Sequence, residues 1–109
     1  MGTNYYAHFE PCPHCGRAKR VEHIGKSSGG WTFSFHATEE IRSWEDWQRV
    51  LQSPDVEIRF DGDQLISFAD FEALVEKKRS SPHNHAREYP DERSWLDQYG
   101  NSFFHGEFC

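Results

Sequence analysis

The chain has 109 residues, of which 36% are hydrophobic and 16% aromatic, and its formal net charge is −6. This length predicts one domain with a core of modest size, and no apolar run reaches the roughly 18 residues that a membrane-spanning helix needs. The acidic balance disfavours binding to nucleic acid, which depends on clustered cations. The N-terminus has neither the basic start nor the apolar run of a signal peptide, so we expect a cytoplasmic protein.

The first predicted elements are a strand over residues 3–9 and a tight turn that holds two cysteines. Cys12 and Cys15 have the spacing Cys-x-x-Cys and precede Gly16, which relaxes the turn so that both thiolates can face one ion. Without a secretion signal, this pair indicates metal binding or redox chemistry rather than a disulfide framework. A redox pair is expected to open a helix, whereas here prolines flank the first cysteine. The turn therefore predicts half of a structural zinc site.

A β-hairpin is predicted next, with strands over residues 20–26 and 31–37 joined by the loop Ser-Ser-Gly-Gly. In its second strand, aromatic residues at positions 31, 33 and 35 alternate with polar residues, which indicates one buried and one polar face.

Two histidines of this hairpin complete the predicted zinc site. If the loop centres between Ser28 and Gly29, position 23 faces 34 and position 36 faces 21, so His23 and His36 are diagonal neighbours on one face. A slip of one residue would place them on opposite faces. We therefore predict structural zinc with four ligands. These are Cys12, Cys15, His23 and His36, and the competing candidates are His8, His14, His105 and Cys109.

Two helices with an intervening hairpin are predicted over residues 43–79. Ser43 and Ser67 each precede an aspartate by three residues, which approximates a capping box at the start of each helix. Apolar residues then recur with helical spacing, which indicates that both helices pack on the core. The segment between them resembles a hairpin that turns at Asp61-Gly62.

The last third of the chain divides into two predicted segments. Residues 80–93 are polar and aperiodic, which indicates a surface loop, whereas the aromatic tail 94–109 is expected to pack on the core. The predicted fold is thus a single α+β domain over 1–109. A zinc knuckle and zinc-ribbon-like hairpin (1–37) staple a small antiparallel sheet, and two helices and the tail follow it.

The sequence Gly-Lys-Ser-Ser from Gly25 to Ser28 suggests a phosphate-binding loop. That motif needs a glycine five residues before Gly25, and Arg20 occupies this position. We therefore interpret the segment as hairpin loop.

A nuclease is the alternative hypothesis for the same region. An acidic residue, a histidine, an isoleucine and a later glycine pair resemble the first half of an HNH endonuclease, in which His23 would be the general base beside a divalent metal. Gly25 replaces the expected proline, and no following helix carries a second metal-binding histidine or asparagine. The matching residues are Glu22, His23, Ile24, Gly29 and Gly30.

Several stretches together resemble a family of small uncharacterised proteins encoded by bacteriophages and prophages. They are MGTNYY, the Cys-x-x-Cys-Gly knuckle, HIGKSSGGW, IRSWEDW, ISFADFEALVEKKR and the closing GEFC. Cys109 departs from a more usual serine, which weakens it as a ligand. The resemblance implies the cytoplasm of a bacterial host and an accessory role, and it implies no activity.

The sequence therefore favours a zinc-binding, non-enzymatic protein-interaction module. Its partner would be a host or phage protein, contacted through a basic surface of that partner, and inhibition of a host defence or regulatory complex is one version of this role. We expect no membrane, nucleic-acid or small-molecule partner. The alternative is the degenerate HNH-like nuclease with His23 as base.

Overall fold

The computed structural model describes residues 2–15, 17–60, 64–89 and 92–105. These parts of the chain contain seven strands and three helices. The strands are β1 (Gly2–Phe9), β2 (Arg20–Ser28), β3 (Ser34–His36), β4 (Val56–Phe60), β5 (Gln64–Ile66), β6 (Ser94–Leu96) and β7 (Ser102–Phe104); the helices are α1 (Trp44–Leu51), α2 (Phe68–Arg79) and α3 (His85–Glu88).

The strands form one mixed sheet in the order β5-β4-β1-β2-β3-β7-β6. The α+β class is confirmed, but the small zinc-ribbon-like sheet at the front is wrong, because strands from the whole chain contribute. The long hairpin is β1–β2, and β3 pairs with only two residues of β2. The tail returns to lie parallel to β3 through β7. Phe103 is fully buried in the core, as predicted for the tail, whereas Tyr99 is exposed.

A β-bulge in β2 decides which side chains face the helices. Tyr5 pairs with Gly25 whereas Tyr6 pairs with His23, so Ile24 is the extra residue. Both Ile24 and Gly25 are buried, and the direction of the side chains reverses between Ile24 and His23. His23 therefore lies on the face of the sheet opposite the core.

The core fills the other face, between the sheet and α1 and α2. Phe33 meets Phe71 edge-on with ring centroids 5.3 Å apart, and Phe35 stacks on Phe103 at 4.9 Å. Trp47 is fully buried and donates from Nε1 to the His36 carbonyl at 3.0 Å. These large rings give a small chain much of its buried apolar area.

The caps of both long helices are as predicted. Ser43 Oγ accepts from the Asp46 N–H at 3.4 Å, and Ser67 Oγ accepts from the Asp70 N–H at 3.1 Å. Pro54 follows the end of α1. The predicted turn at Asp61-Gly62 lies outside the described residues.

The predicted surface loop over 80–93 contains α3 and is not simply a loop. Asn84 is 3% exposed, caps α3 by accepting from the Arg87 N–H at 3.2 Å and donates to the Gly100 carbonyl at 3.0 Å. The Ala86 N–H donates to Ser102 Oγ at 3.1 Å. No helix in the described parts of the chain is long and apolar enough to cross a membrane.

Candidate functional site

The cysteine pair lies in the loop between β1 and β2. Glu10 has a φ of 49°, which turns the chain sharply at the end of β1. The Cys12 N–H donates to the Arg17 carbonyl at 2.9 Å, and the Lys19 N–H donates to the Phe9 carbonyl at 3.0 Å. The chain from Phe9 to Lys19 is therefore closed into a turn by these two bonds. Gly16 lies outside the described residues.

The Cys12 sulfur accepts hydrogen bonds from within this turn. The backbone N–H groups of Cys15 and His14, and then the Cys15 thiol, donate to the Cys12 sulfur and lower the pKa of Cys12 below its ordinary value of 9.0. Cys15 is exposed and Cys12 is half-buried, and both are free thiols. Thiolate, and not thiol, ligates metal, so this turn provides two sulfur ligands of the correct kind.

The histidine pair lies together on the outer face of the sheet. The rings of His23 and His36 are 5.7 Å apart, and His36 Nδ1 is 3.2 Å from the His23 carbonyl. The predicted register is wrong, because Lys26 and not His23 pairs with Ser34. Without the bulge this register would place the two histidines on opposite faces, and the extra residue restores their proximity.

The two pairs are separated along the sheet. His23 pairs with Tyr6 whereas the loop begins beyond the Phe9–Arg20 pair, and three residues of strand span roughly 10 Å. Among residues 2–15, 17–60, 64–89 and 92–105, no three His, Cys, Asp or Glu side chains are grouped to hold a metal ion. The site of Cys12, Cys15, His23 and His36 therefore stays a prediction. The two cysteines lie near each other and so do the two histidines, but the two pairs lie apart.

Of the competing ligands that the structure describes, only His14 lies in the cysteine turn. His8 pairs with Val21 in the β1–β2 ladder, and His14 and His105 are exposed. Cys109 lies outside the described residues.

His23 has the environment of a neutral imidazole. Its Nε2 lies 2.9 Å from Asn4 Oδ1. Burial, and then the neighbouring charge of His36, lower the pKa of His23 to about 4. A general base works best with a pKa near the operating pH. The adjacent Glu22 points to the opposite face, where it contacts Arg20 at 3.6 Å. Glu22 and His23, the pair that matches the nuclease motif, therefore point to opposite faces of the sheet.

The Gly-Lys-Ser-Ser segment is strand and not loop, so its interpretation as hairpin loop is wrong. Gly25 to Ser28 pair with residues of β1 from Tyr5 to Gly2. The turn follows, with the Trp31 N–H donating to the Ser28 carbonyl at 3.2 Å and Gly30 at a φ of 79°.

An aromatic cluster at this turn was missed by the sequence reasoning. Trp31 does not follow the alternation of positions 33 and 35 into the core. Its ring lies 4.9 Å from His83, 6.2 Å from His85 and 6.3 Å from Tyr89, with which it stacks at 23°. His85 and Tyr89 are themselves 5.3 Å apart. We call these four residues the Trp31 cluster.

The backbone joins the two parts of the Trp31 cluster directly. The His83 N–H donates to the Gly30 carbonyl at 3.1 Å, and the Thr32 N–H donates to the His83 carbonyl at 2.8 Å. His83 Nδ1 is 3.1 Å from Glu88 Oε2, which also accepts from the Asn84 N–H. The sequence signal for the Trp31 cluster was the aromatic and histidine content near Tyr89. These residues lie in the polar, aperiodic segment 80–93, which was interpreted as a surface loop.

In comparisons with protein-family models, with curated proteins and with solved structures, no match to this chain was found.

Proposed function

We propose that the protein is a non-enzymatic protein-interaction module that docks its partner through the Trp31 cluster. The observation that carries this proposal is a set of aromatic side chains held at the surface by a buried framework. Tyr89 is 59% exposed, and His83 and His85 are also exposed. Trp and Tyr dominate the residues whose truncation most weakens protein–protein binding.

The framework beneath the cluster supports this use. Asn84 and Ala86 are buried, and they donate to Gly100, in the turn between β6 and β7, and to Ser102 of β7. These bonds fix the direction in which α3 presents its neighbours. Side chains that are ordered before binding lose less conformational entropy on association. The contacts between the rings also order these side chains before binding, since each aromatic pair stabilises its arrangement by about 0.5–1.5 kcal/mol beyond burial.

The partner we propose is a host or phage protein with a basic surface. A chain of net charge −6 attracts such a surface over long range, and the Trp31 cluster would supply the short-range contacts. The resemblance to phage and prophage proteins supports a setting in the host cytoplasm, and inhibition of a host complex is the version that we favour. Zinc in this proposal contributes folding energy and no chemistry.

The test compares three proteins as bait in the host extract. These are the wild type, Tyr89→Ala and a matched control, Tyr99→Ala. Tyr99 is 44% exposed and lies outside the cluster. Quantitative mass spectrometry should find a protein that wild type and Tyr99→Ala retain equally and that Tyr89→Ala loses. Thermal unfolding of each variant checks that the fold is intact.

The purified partner then gives a direct measurement. At a hot-spot position a loss of about 2 kcal/mol is expected, which weakens binding about 30-fold. Binding should also weaken as salt rises, because long-range attraction between charges is screened. Equal binding by Tyr89→Ala and Tyr99→Ala would show that the cluster is not the docking surface.

The nuclease alternative is tested with the same preparations. We expect no nicking of plasmid DNA with magnesium or manganese. Nicking that His23→Ala abolishes, and that Tyr89→Ala retains, would replace the binding module with an enzyme.

A further inference from the structure

We infer that Cys12 and Cys15 form half of a tetrahedral zinc site and that a second copy of the chain supplies the other two thiolates. The site would be a four-cysteine zinc centre shared between two protomers. It is independent of the Trp31 cluster, so either proposal can fail without the other.

The geometry of the turn supports two ligands to one ion. Cys12 and Cys15 lie in one closed turn, in which the Cys12 N–H donates to the Arg17 carbonyl at 2.9 Å, and the Cys15 thiol and the backbone N–H groups of His14 and Cys15 donate to the Cys12 sulfur. Such N–H groups also stabilise thiolate charge when the metal is bound. Cys15 is exposed, so the open side of this half-site faces the solvent, from which a second copy can approach.

The remaining ligands do not come from nearby described residues. Zinc in structural sites takes four ligands, and the described parts of the chain offer no third His, Cys, Asp or Glu grouped with the pair. His23 and His36 lie roughly 10 Å or more along the sheet. They contact one another, and His23 also contacts Asn4. A second copy of the same turn is the simplest source of two more ligands with matching chemistry.

Charge at the turn favours such a pairing. Four thiolates and one zinc ion carry a formal charge of −2, which neighbouring cations stabilise. Residues 11–20 contain three cations, Arg17, Lys19 and Arg20, and no aspartate or glutamate. Lys19 and Arg20 contact the flanking residues Glu10 and Glu22, each at 3.6 Å. The cations beside the knuckle therefore offset part of the charge of a dianionic centre once zinc has joined two copies.

The experiment measures mass and zinc content of the full chain together. Sedimentation velocity with one equivalent of zinc, and again after EDTA, gives the oligomeric state, and elemental analysis gives zinc per chain. The expected result is a zinc-dependent doubling of mass with one zinc ion per two chains. Cobalt in place of zinc should give thiolate charge-transfer absorption, per metal ion, about twice that of a two-thiolate site.

Variants separate the possible ligand sets. Cys12→Ser and Cys15→Ser should lose both zinc and dimer, whereas Cys109→Ser, His14→Ala and His23→Ala should retain both. If a Cys12 or Cys15 variant fails to fold, the reversal of dimerisation by EDTA in the wild type provides the test. A monomer with one zinc ion per chain would overturn the proposal, as would a dimer that survives EDTA or a protein that binds no zinc.

Discussion

Gly25 provides the sharpest test of the strand packing, because alanine at this position has no room. An added Cβ would lie 2.3 Å from the Ser34 carbonyl oxygen, 2.5 Å from Phe33 Cε1 and 3.0 Å from Phe35 Cα. Two of these three atoms belong to the backbone of β3. The third belongs to a ring that is 1% exposed, so none can move without cost.

The expected loss of stability follows from these contacts. Overpacking a core typically costs 1–3 kcal/mol, and backbone contacts place Gly25→Ala at the upper end, about 3 kcal/mol. Alanine also restricts the unfolded chain, which offsets about 0.4–1 kcal/mol. The net loss is about 2 kcal/mol or more, which lowers Tm by roughly 8–16 °C in a domain of this size.

Urea and thermal unfolding followed by circular dichroism measure this loss, and the same sequence motif offers a matched control. A Cβ on Gly29 would meet nothing within 4 Å, so Gly29→Ala should change stability by less than about 0.5 kcal/mol. Wild-type stability in Gly25→Ala, or an equal loss in Gly29→Ala, would refute the close approach of β2 and β3.

Three further predictions concern the core, a loop and pH. Trp47→Ala removes a fully buried ring and should cost about 3–5 kcal/mol in urea unfolding. Asp97 accepts from the N–H groups of Trp44 at 2.9 Å and Asn101 at 2.8 Å, so Asp97→Ala should cost roughly 1–3 kcal/mol, and a loss below 0.5 kcal/mol would contradict these bonds. The pKa of His23 is lowered from 6.5 to about 4, so below pH 6.5 the unfolded chain binds a proton that the folded protein does not. The contribution of neutral His23 to the free energy of unfolding is therefore complete above pH 6.5 and is lost as the pH falls toward 4. Allowing for partial exposure, this loss is about 1–2 kcal/mol, and it should be absent in His23→Gln when unfolding is compared at pH 7.5 and 4.5.

The helices were predictable because their signals are local. Each cap depends on a serine and a backbone N–H three residues later, and the apolar stripes depend on helical periodicity alone. Trp47 and Phe71, which belong to those stripes, are fully buried. α3 was missed because it has four residues, too few to show a period, and its stability comes from bonds to distant residues.

The sheet was less predictable because its pairings join distant parts of the chain. The parallel pairing of β3 with β7 brings Phe35 beside Phe103, 68 positions later, and no local pattern encodes that contact. The bulge at Ile24 shows the same limit. The proximity of His23 and His36 was expected from a register that does not occur, and it exists because one extra residue reverses the faces. The cysteine turn was predictable because Cys12 and Cys15 are only three positions apart. The other ligands of the proposed zinc site lie beyond the turn, and the local sequence does not identify them.

The two proposed sites lie at opposite ends of β2, and this placement makes a prediction about how they act together. The knuckle precedes Arg20, and the Trp31 cluster follows Ser28, a separation of roughly 25 Å along the strand. A dimer joined at the knuckles would leave both clusters accessible, at its two far ends. Two linked binding modules gain apparent affinity only when both can engage at once.

We therefore expect zinc to strengthen binding to a partner immobilised at high density and to leave binding to the same partner free in solution unchanged. Cys15→Ser should abolish the difference between these two measurements, and Cys109→Ser should preserve it. An equal gain from zinc in both formats would mean that the metal acts on the cluster within one chain. The knuckle would then be part of the binding surface and not a link between two of them.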